Sequence, residues 1–419
     1  MRGIIKAPNK SLNIAVIGSG LGGLSAAISL RRQGHQVTVY ERYDFANEVG
    51  ASLSVASNGS RFLEQWNVDI PAVKPVILQK LVMHEWSTGE VKGEYLLGDY
   101  KAKSGTEYFN FHRINMHNVL LDTIKAESSD ESGPQGKVVV NHKALEVLPE
   151  KGLIKFENGT SVTADLIIAA DGIRSLTRIN IGITPQVQSS TSCCYRCIIP
   201  SSKLHELGLS EFVLNNGIEF WGGFGINKIV MSPCHDGGTV SCYCFYPAEY
   251  NGLSKDGWNI SATPEDLAAT YPDLDPRVLK LFLNAEDIKM WRLYVHQPYQ
   301  YWQSGVVALL GDAAHPMLPD QSQGFCMALE DAGALGYILS REFEHVWKED
   351  LNKELKLYEK VRKERASRVQ ASSARARTDL SERIGWSSKS DRPGKLTIKE
   401  VCEYDMLQHI RETVKDGSW

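Results

Sequence analysis

Leu12 to Ile17 form an apolar run interrupted only by Asn13, and Leu24, Ala27, Ile28 and Leu30 then recur on one face of a segment ending near Gly34. The run predicts a buried strand, the recurrence a helix, and Val37 to Tyr40 the next strand, so a β-α-β unit opens the chain. Strands are predicted again over Val138 to Val140 and Ala144 to Leu148, and Leu153 to Val162 folds back through Asn158-Gly159, a favoured hairpin turn. The polar stretch Glu127 to Gly136 reads as a surface loop. Asp165 to Ala170 and Val306 to Leu310 are two more short apolar strands. Between them, Ser192 to Pro247 is rich in Cys, Tyr, Phe, Trp and β-branched residues, with Gly-rich turns at Gly222-Gly223 and Gly237-Gly238, which predicts an antiparallel sheet. Phe325 to Leu339 is helical in pattern, and Leu351, Leu355, Tyr358 and Val361 mark a long amphipathic helix whose Lys, Arg and Glu residues read as a solvated face. A final helix is expected over Tyr404 to Val414, and no repeat of fixed period is visible.

The length of 419 residues suggests two or three domains at roughly 100 to 200 residues each. Hydrophobic residues at 42% and charged residues at 23% exclude a disordered or fibrous class. A formal net charge of −4 offers no concentrated basic surface, so no nucleic-acid partner is expected. No apolar run reaches the roughly 18 residues needed to cross a bilayer. Met1 to Asn13 hold no signal-like apolar stretch either, so the expectation is a cytoplasmic chain without a transmembrane segment.

Six of the 8 cysteines fall between Cys193 and Cys244. A zinc site would pair Cys194 and Cys197 with Cys242 and Cys244, but the C-x-C spacing is wrong for a knuckle and both segments look like strands. Buried free thiols are the simpler reading, and no metal is assigned. The Asn-x-Ser/Thr sequences at Asn58, Asn158 and Asn259 carry meaning only in a secreted protein.

The chemistry concentrates where apolar strands end. Gly18, Gly20 and Gly23 form a G-x-G-x-x-G sequence between a predicted strand and a predicted helix, the context in which it binds a dinucleotide. The first glycine permits the turn, the second lets backbone approach a pyrophosphate, and the third allows close helix packing, with phosphate on the helix N-terminus. Glu41 ends the second strand, where a carboxylate accepts the ribose hydroxyls of an adenosine, and Arg42 follows it. This fingerprint alone does not separate a nicotinamide dinucleotide from FAD. Asp171-Gly172 and Gly311-Asp312 cap two further apolar strands, at the edge where open α/β sheets bind ligands, which implies a long ligand contacted at several points.

With these three segments in this order, the chain resembles class A flavoprotein monooxygenases, the group containing salicylate hydroxylase and its fungal relatives, from about Leu12 to about Leu380. The resemblance implies a doubly wound α/β FAD-binding domain with an inserted antiparallel substrate sheet and C-terminal helices. The corresponding division is 12–75, 105–190 and 290–345 for the FAD domain, 76–104 and 191–289 for the sheet, and 346–419 for the helices. It further implies that Glu41 binds the adenosine ribose, that Arg113 lies near the FAD ribose or pyrophosphate, and that Asp312 binds the ribityl chain. Asp171-Gly172 is associated with both FAD and the reducing nucleotide. Pro319 to Gly324 resembles the family's P-x-x-x-Q-G turn, which makes Gly324 and Phe325 flavin contacts at a helix N-terminus. His315 reads as structural.

The implied reaction uses FAD, with NADH or NADPH and dioxygen as co-substrates, to hydroxylate a small aromatic partner through a flavin C4a-hydroperoxide. Hydrolysis of that species demands a dry pocket, for which Phe220, Trp221, Tyr243 and Phe245 are available. Arg196 matches a position that holds the substrate phenolate in dearomatising relatives, yet Ser232 stands where their partner tyrosine would be. That departure moves the expectation toward a phenol or phenolic acid, whose carboxylate Arg196 would bind; a structural role is the alternative. A histidine that some hydroxypyridine hydroxylases carry near Ser54 is absent from the segment Gly50 to Ser54. Decarboxylating hydroxylation of a hydroxybenzoate, epoxidation or oxidative tailoring of a larger secondary metabolite, and flavin reduction without oxygenation are the readings left open. A monomer or homodimer is expected.

Overall fold

The computed structural model describes residues 10–44, 52–129, 133–251, 258–389, 394–417 and 419. Its centre is the set of apolar runs read above. Asn13–Ile17 pairs in parallel with Gln36–Tyr40 on one side and with Leu166–Ala169 on the other, and Leu166–Ala169 pairs in parallel with Val307–Leu309. Lys137–Val139 extends the sheet at one edge and the antiparallel Gln303–Ser304 closes the other, giving six strands. Ile14, Val16, Val39, Ile167, Ile168 and Val307 are fully buried, as a parallel sheet covered on both faces requires. The strand order reverses direction between Asn13–Ile17 and Leu166–Ala169, so a crevice opens at the carboxyl ends of those two strands.

Leu21–Arg31 follows the first strand and packs against Gly324–Ile338 and Arg113–Lys125. Gly23 explains how the first helix sits so close: a Cβ there would overlap the Gly18 carbonyl oxygen. The expected hairpin forms, with Leu153–Phe156 antiparallel to Ser161–Thr163 and to Ala144–Leu148 in a separate three-stranded sheet. Within the expected polar loop, residues 130–132 lie outside the described residues, as do Gly50 and Ala51.

The second sheet has eight strands: Lys80–His84, Val91–Leu96, Val187–Pro200, Gly217–Gly222, Lys228–Cys234, Thr239–Pro247, Trp258–Ser261 and Glu286–His296. Two details differ from the sequence expectation. Gly217–Gly222 pairs in parallel with Lys80–His84, because the chain reaches that position by a long crossover and not by a hairpin, so the sheet is mixed. Glu286–His296 remains in this sheet past residue 289, held by the long ladder to Val187–Pro200. The long helix runs Leu351–Ala376, and its polar residues are not all solvated: Glu354 and Arg362 are fully buried. The reason is that both faces of this helix are covered, by Gly324–Ile338 on one contact and by the Met406–Asp416 helix on another. Among the described residues no helix is long and apolar enough to cross a membrane.

The glycine packing yields a paired test. Gly23→Ala should cost about 1–3 kcal/mol of unfolding free energy by denaturant titration, since a backbone oxygen blocks the added methyl. Gly20→Ala, with nothing within 4 Å of the added atom, should cost less than about 1 kcal/mol. Equal losses at the two positions would contradict the packing account.

Candidate active site

Four of the five parallel strands deliver their motifs to one edge of the sheet. Gly18 is wedged there in a left-handed conformation (φ +97°): its N–H donates to the Tyr40 carbonyl at 2.9 Å, and an added Cβ would stand 2.5 Å from the Ala170 oxygen. Glu41 ties the glycine turn to the second strand, its Oε2 accepting the Ser19 N–H at 2.8 Å and the Ser19 hydroxyl at 2.7 Å. Its Oε1 accepts the Tyr43 N–H, so the carboxylate retains only part of its acceptor capacity for a ribose. Arg42 is exposed, its guanidinium over the Tyr43 ring.

Asp171 accepts the Thr177 N–H at 3.0 Å and hydroxyl at 2.9 Å through Oδ2, while its Oδ1 is buried without a partner among the described residues. Gly172 is left-handed (φ +79°) with open space where a Cβ would stand. Asp312 projects an exposed carboxylate from the fourth strand end. The protein around it disfavours the charge and raises its pKa, against His315, Arg113 and Arg178, which lower it. Arg178, which the sequence reading passed over, joins two of the motifs: it donates to the Ile173 carbonyl at 2.7 Å and the Ala313 carbonyl at 3.1 Å. Arg113 opens its helix half-buried, near enough to Asp312 and Tyr243 to lower both pKa values.

Two helices end bare at this edge. Leu21–Arg31 begins after Gly20 and Gly324–Ile338 after Gln323, in each case with no side-chain cap and no acid in the first turn. Gly20 and Gly324 both have nothing within 4 Å of an added Cβ. Uncapped N–H groups beside open, Cβ-free space are what a phosphate or an electron-rich ring edge needs. The site therefore fits FAD: two uncapped helix starts, three open glycines and strand-end carboxylates for hydroxyls. Phe325 is partly buried against the main core.

Behind the motifs lies a buried ionic network. Asp331 Oδ2 accepts the Gly311 N–H at 3.0 Å and contacts His315 Nε2 at 2.5 Å, and its Oδ1 accepts Arg362 Nε at 2.9 Å. Glu330 takes Arg362 Nη1 at 2.6 Å, Arg365 from two nitrogens at 2.7 Å, and Asn58 Nδ2 at 2.8 Å. Burial pushes both carboxyl pKa values up, but the cations win and hold them below the usual range. The available signal was an adjacent Glu-Asp pair inside an apolar helix, a pattern that demands buried partners.

The eight-stranded sheet turns its inner face toward this edge. Arg196, Tyr243 and Val230 stand in one cross-strand rank, and Ser232 stands in the next rank with Ser241. The rank beside Arg196 thus already carries a tyrosine, and Ser232 bonds Asn110 Nδ2 at 3.1 Å. Arg196 is fully buried; Nη2 donates to Asp287 at 2.7 Å, its guanidinium lies 5.5 Å from the Trp291 ring centre, and Nε and Nη1 have no partner among the described residues. Tyr243 donates to the Ser52 carbonyl at 2.7 Å, and burial pushes its phenol pKa well up. Phe220 and Phe245 share ranks with this inner face, whereas Trp221 points to the outer core and stacks on His84. Alternation also splits Cys194 from Cys197: they pack in different clusters, which breaks up the C-x-x-C as a ligand pair. A cavity of about 730 Å³ lined by Trp86, Tyr195, Tyr271 and Met290 lies on the outer face, away from the strand ends.

Comparison with known proteins agrees with this geometry. Residues 11–373 match the family described as "FAD binding domain". The chain is 32% identical over 379 residues to hispidin-3-hydroxylase of Neonothopanus nambi, covering 87% of this chain and 88% of that protein. It is 27% identical over 409 residues to 3-hydroxybenzoate 6-hydroxylase 1 of Aquipseudomonas alcaligenes, covering 96% and 98%. Among solved structures, a salicylate hydroxylase substrate complex superposes with a TM-score of 0.74 at 21% identity over 96% of this chain and 97% of the other.

The ionic network carries its own prediction. Arg362→Met removes the guanidinium shared by two buried carboxylates and should cost about 3–5 kcal/mol in denaturant unfolding near neutral pH. Because both carboxyl pKa values are depressed in the fold, their stabilisation is present above the unfolded value of about 4 and is lost as pH falls through the folded ones. The gap between wild type and variant should therefore narrow in acid; a constant gap would contradict the network's role.

Proposed function

The chain belongs to the FAD-binding-domain family of FAD-dependent monooxygenases, and from that premise we propose that it uses NAD(P)H and dioxygen to hydroxylate a phenol or phenolic acid. The single observation that carries the substrate class is the buried Arg196 guanidinium, two of whose nitrogens lack a partner among the described residues. A buried N–H without an acceptor is costly, so an anionic oxygen on the substrate is the natural completion. Asp287 occupies only Nη2, and its carboxylate is half-exposed, so it offsets the charge without filling the fork.

In this reading Gly18, Gly20 and Gly23 admit the pyrophosphate to the first bare helix end, with Arg113 nearby. Glu41 and Arg42 flank the adenosine, and Asp171, Gly172 and Asp312 meet the ribityl and ribose hydroxyls. Gly324 and Phe325 present backbone N–H groups to the ring. Bound FAD supplies two-electron uptake from NAD(P)H and activation of dioxygen. Arg196 binds and orients the phenolate or carboxylate, while Tyr243, Val230, Trp291 and Phe245 exclude water from it. Two features support a transient nicotinamide site in the same crevice: the sequence carries one dinucleotide fingerprint, and the parallel sheet has one switch point.

The test is a screen of phenols and phenolic acids for stimulated NAD(P)H oxidation, followed by Arg196→Ala on the best substrate. Stimulated turnover should fall at least tenfold to a hundredfold, since a charge-assisted hydrogen bond is worth roughly 1.5–3 kcal/mol and each 1.36 kcal/mol is a factor of ten. FAD content should stay the same, and Arg196→Lys should rescue only in part. Normal turnover in Arg196→Ala, or parallel loss of FAD, would overturn the assignment.

A further inference from the structure

Turn Pro319–Gln321 leads into the bare start of Gly324–Ile338, and every polar side chain along it is held by residues distant in sequence. Asp320 is the only carboxylate in the turn and is fully buried in an ion cluster. Its Oδ1 accepts Lys228 Nζ, from the inner face of the large sheet, and Arg377 Nη1 at 3.0 Å, from the end of the long helix. Gln321 donates to Ser372 Oγ at 2.8 Å and accepts the Ile384 N–H at 2.7 Å. Ser322 accepts Arg383 Nη2 at 3.2 Å. Three segments thus converge on one short turn.

The charges around the turn do not cancel. Lys228, Arg377 and Arg383 are all buried, and among the described residues Asp320 is the one acid that forms an ion pair with any of them. Among the described residues Arg383 has Ser322, Tyr108 and the Phe220 face beside its charge and no ion-pair partner, and its Nη1 has no hydrogen-bond partner. Of the nearby acids, Glu382 is spent on Arg375 and Lys395, and Asp379 caps the Ser381 N–H. Among the described residues, three cations on one carboxylate leave a formal surplus of two positive charges in a low-dielectric interior, an arrangement that is expensive unless an anion completes it. The strain is visible in Lys228, whose pKa is lowered to about 8 by burial and then by Arg377 and Arg383, against the pull of Asp320.

We propose that Lys228, Arg377 and Arg383 are positioning residues that hold turn Pro319–Gln321 and place a surplus of positive charge behind the start of the Gly324–Ile338 helix, where it favours two-electron reduction of the bound flavin. The proposal rests on the FAD reading above and adds a charge source from outside the nucleotide motifs. The electron donor NAD(P)H gives up two electrons and one proton and becomes NAD(P)⁺. The cluster offsets the single negative charge gained by the ring, and no bond to the protein forms or breaks. The helix dipole acts in the same direction.

The experiment measures the reduction potential of the FAD-loaded protein against a reference dye, together with flavin content. Lys228→Met should keep FAD and lower the equilibrium constant for reduction at least tenfold, which is about 30 mV for a two-electron couple. Lys228→Arg should return it to near the wild-type value. Arg383→Met, whose only side-chain hydrogen-bond acceptor in the turn is Ser322, should give a shift of the same sign and carries the test if Lys228→Met does not fold. Flavin retained with an unchanged potential in the Met variants would overturn the proposal and leave the FAD reading intact. A wild-type protein that takes up no FAD would instead overturn that reading.

Discussion

The carboxylate of Asp331 is the joint on which the glycine- and aspartate-bearing edge of the parallel sheet depends. One oxygen fixes the backbone of Gly311 and the ring of His315, and the other binds Arg362 of the long helix. A buried carboxylate left without these partners would cost several kcal/mol, so the fourth strand end, the Gly324–Ile338 helix and the Leu351–Ala376 helix must assemble together. Placement of Asp312 and of the bare helix start near Gly324 follows from that assembly. The ionic network fixes the Gly311 backbone and the His315 ring behind these strand ends.

A second constraint comes from strand alternation. The eight-stranded sheet buries Cys197, Cys242, Cys244 and Trp221 on its outer face and presents Arg196, Tyr243, Phe245 and Lys228 toward the nucleotide edge. A one-residue slip of Val187–Pro200 would turn Arg196 to the outer face and Cys197 to the inner one, removing the guanidinium from beside Tyr243. The strand Ser52–Val55 pins the register from the other side, with the Ser52 N–H on Ser241 Oγ at 3.2 Å and the Tyr243 hydroxyl on the Ser52 carbonyl. Placement of the Arg196 guanidinium and fold specificity are therefore one problem here.

Much of the geometry of these strand ends was legible in the sequence because its signals are local. A strand followed at once by Gly18, Gly20 and Gly23, or by Asp171-Gly172, reports its own geometry through turn sterics and strand length. The partners of those motifs were not legible. Arg178, Asp331 and Arg362 act across separations that no periodicity reveals, and the charged residues of Leu351–Ala376 read as solvated until the packing of a second helix buried them. That Tyr243 stands beside Arg196 was not legible for the same reason: register decides which residue pairs with it, and the ladder puts Tyr243 there. The parallel pairing of Gly217–Gly222 with Lys80–His84 likewise depends on a crossover with no local trace.

The account holds that this edge and this inner face together transfer oxygen to an aromatic ring, and labelled dioxygen tests it most directly. Turnover of FAD-loaded protein with NAD(P)H, a stimulating phenolic compound and isotopically labelled dioxygen should put one labelled oxygen atom into the aromatic product for each NAD(P)H oxidised, as read by mass spectrometry. NAD(P)H oxidation with the label recovered only as hydrogen peroxide, and none in the aromatic compound, would contradict it.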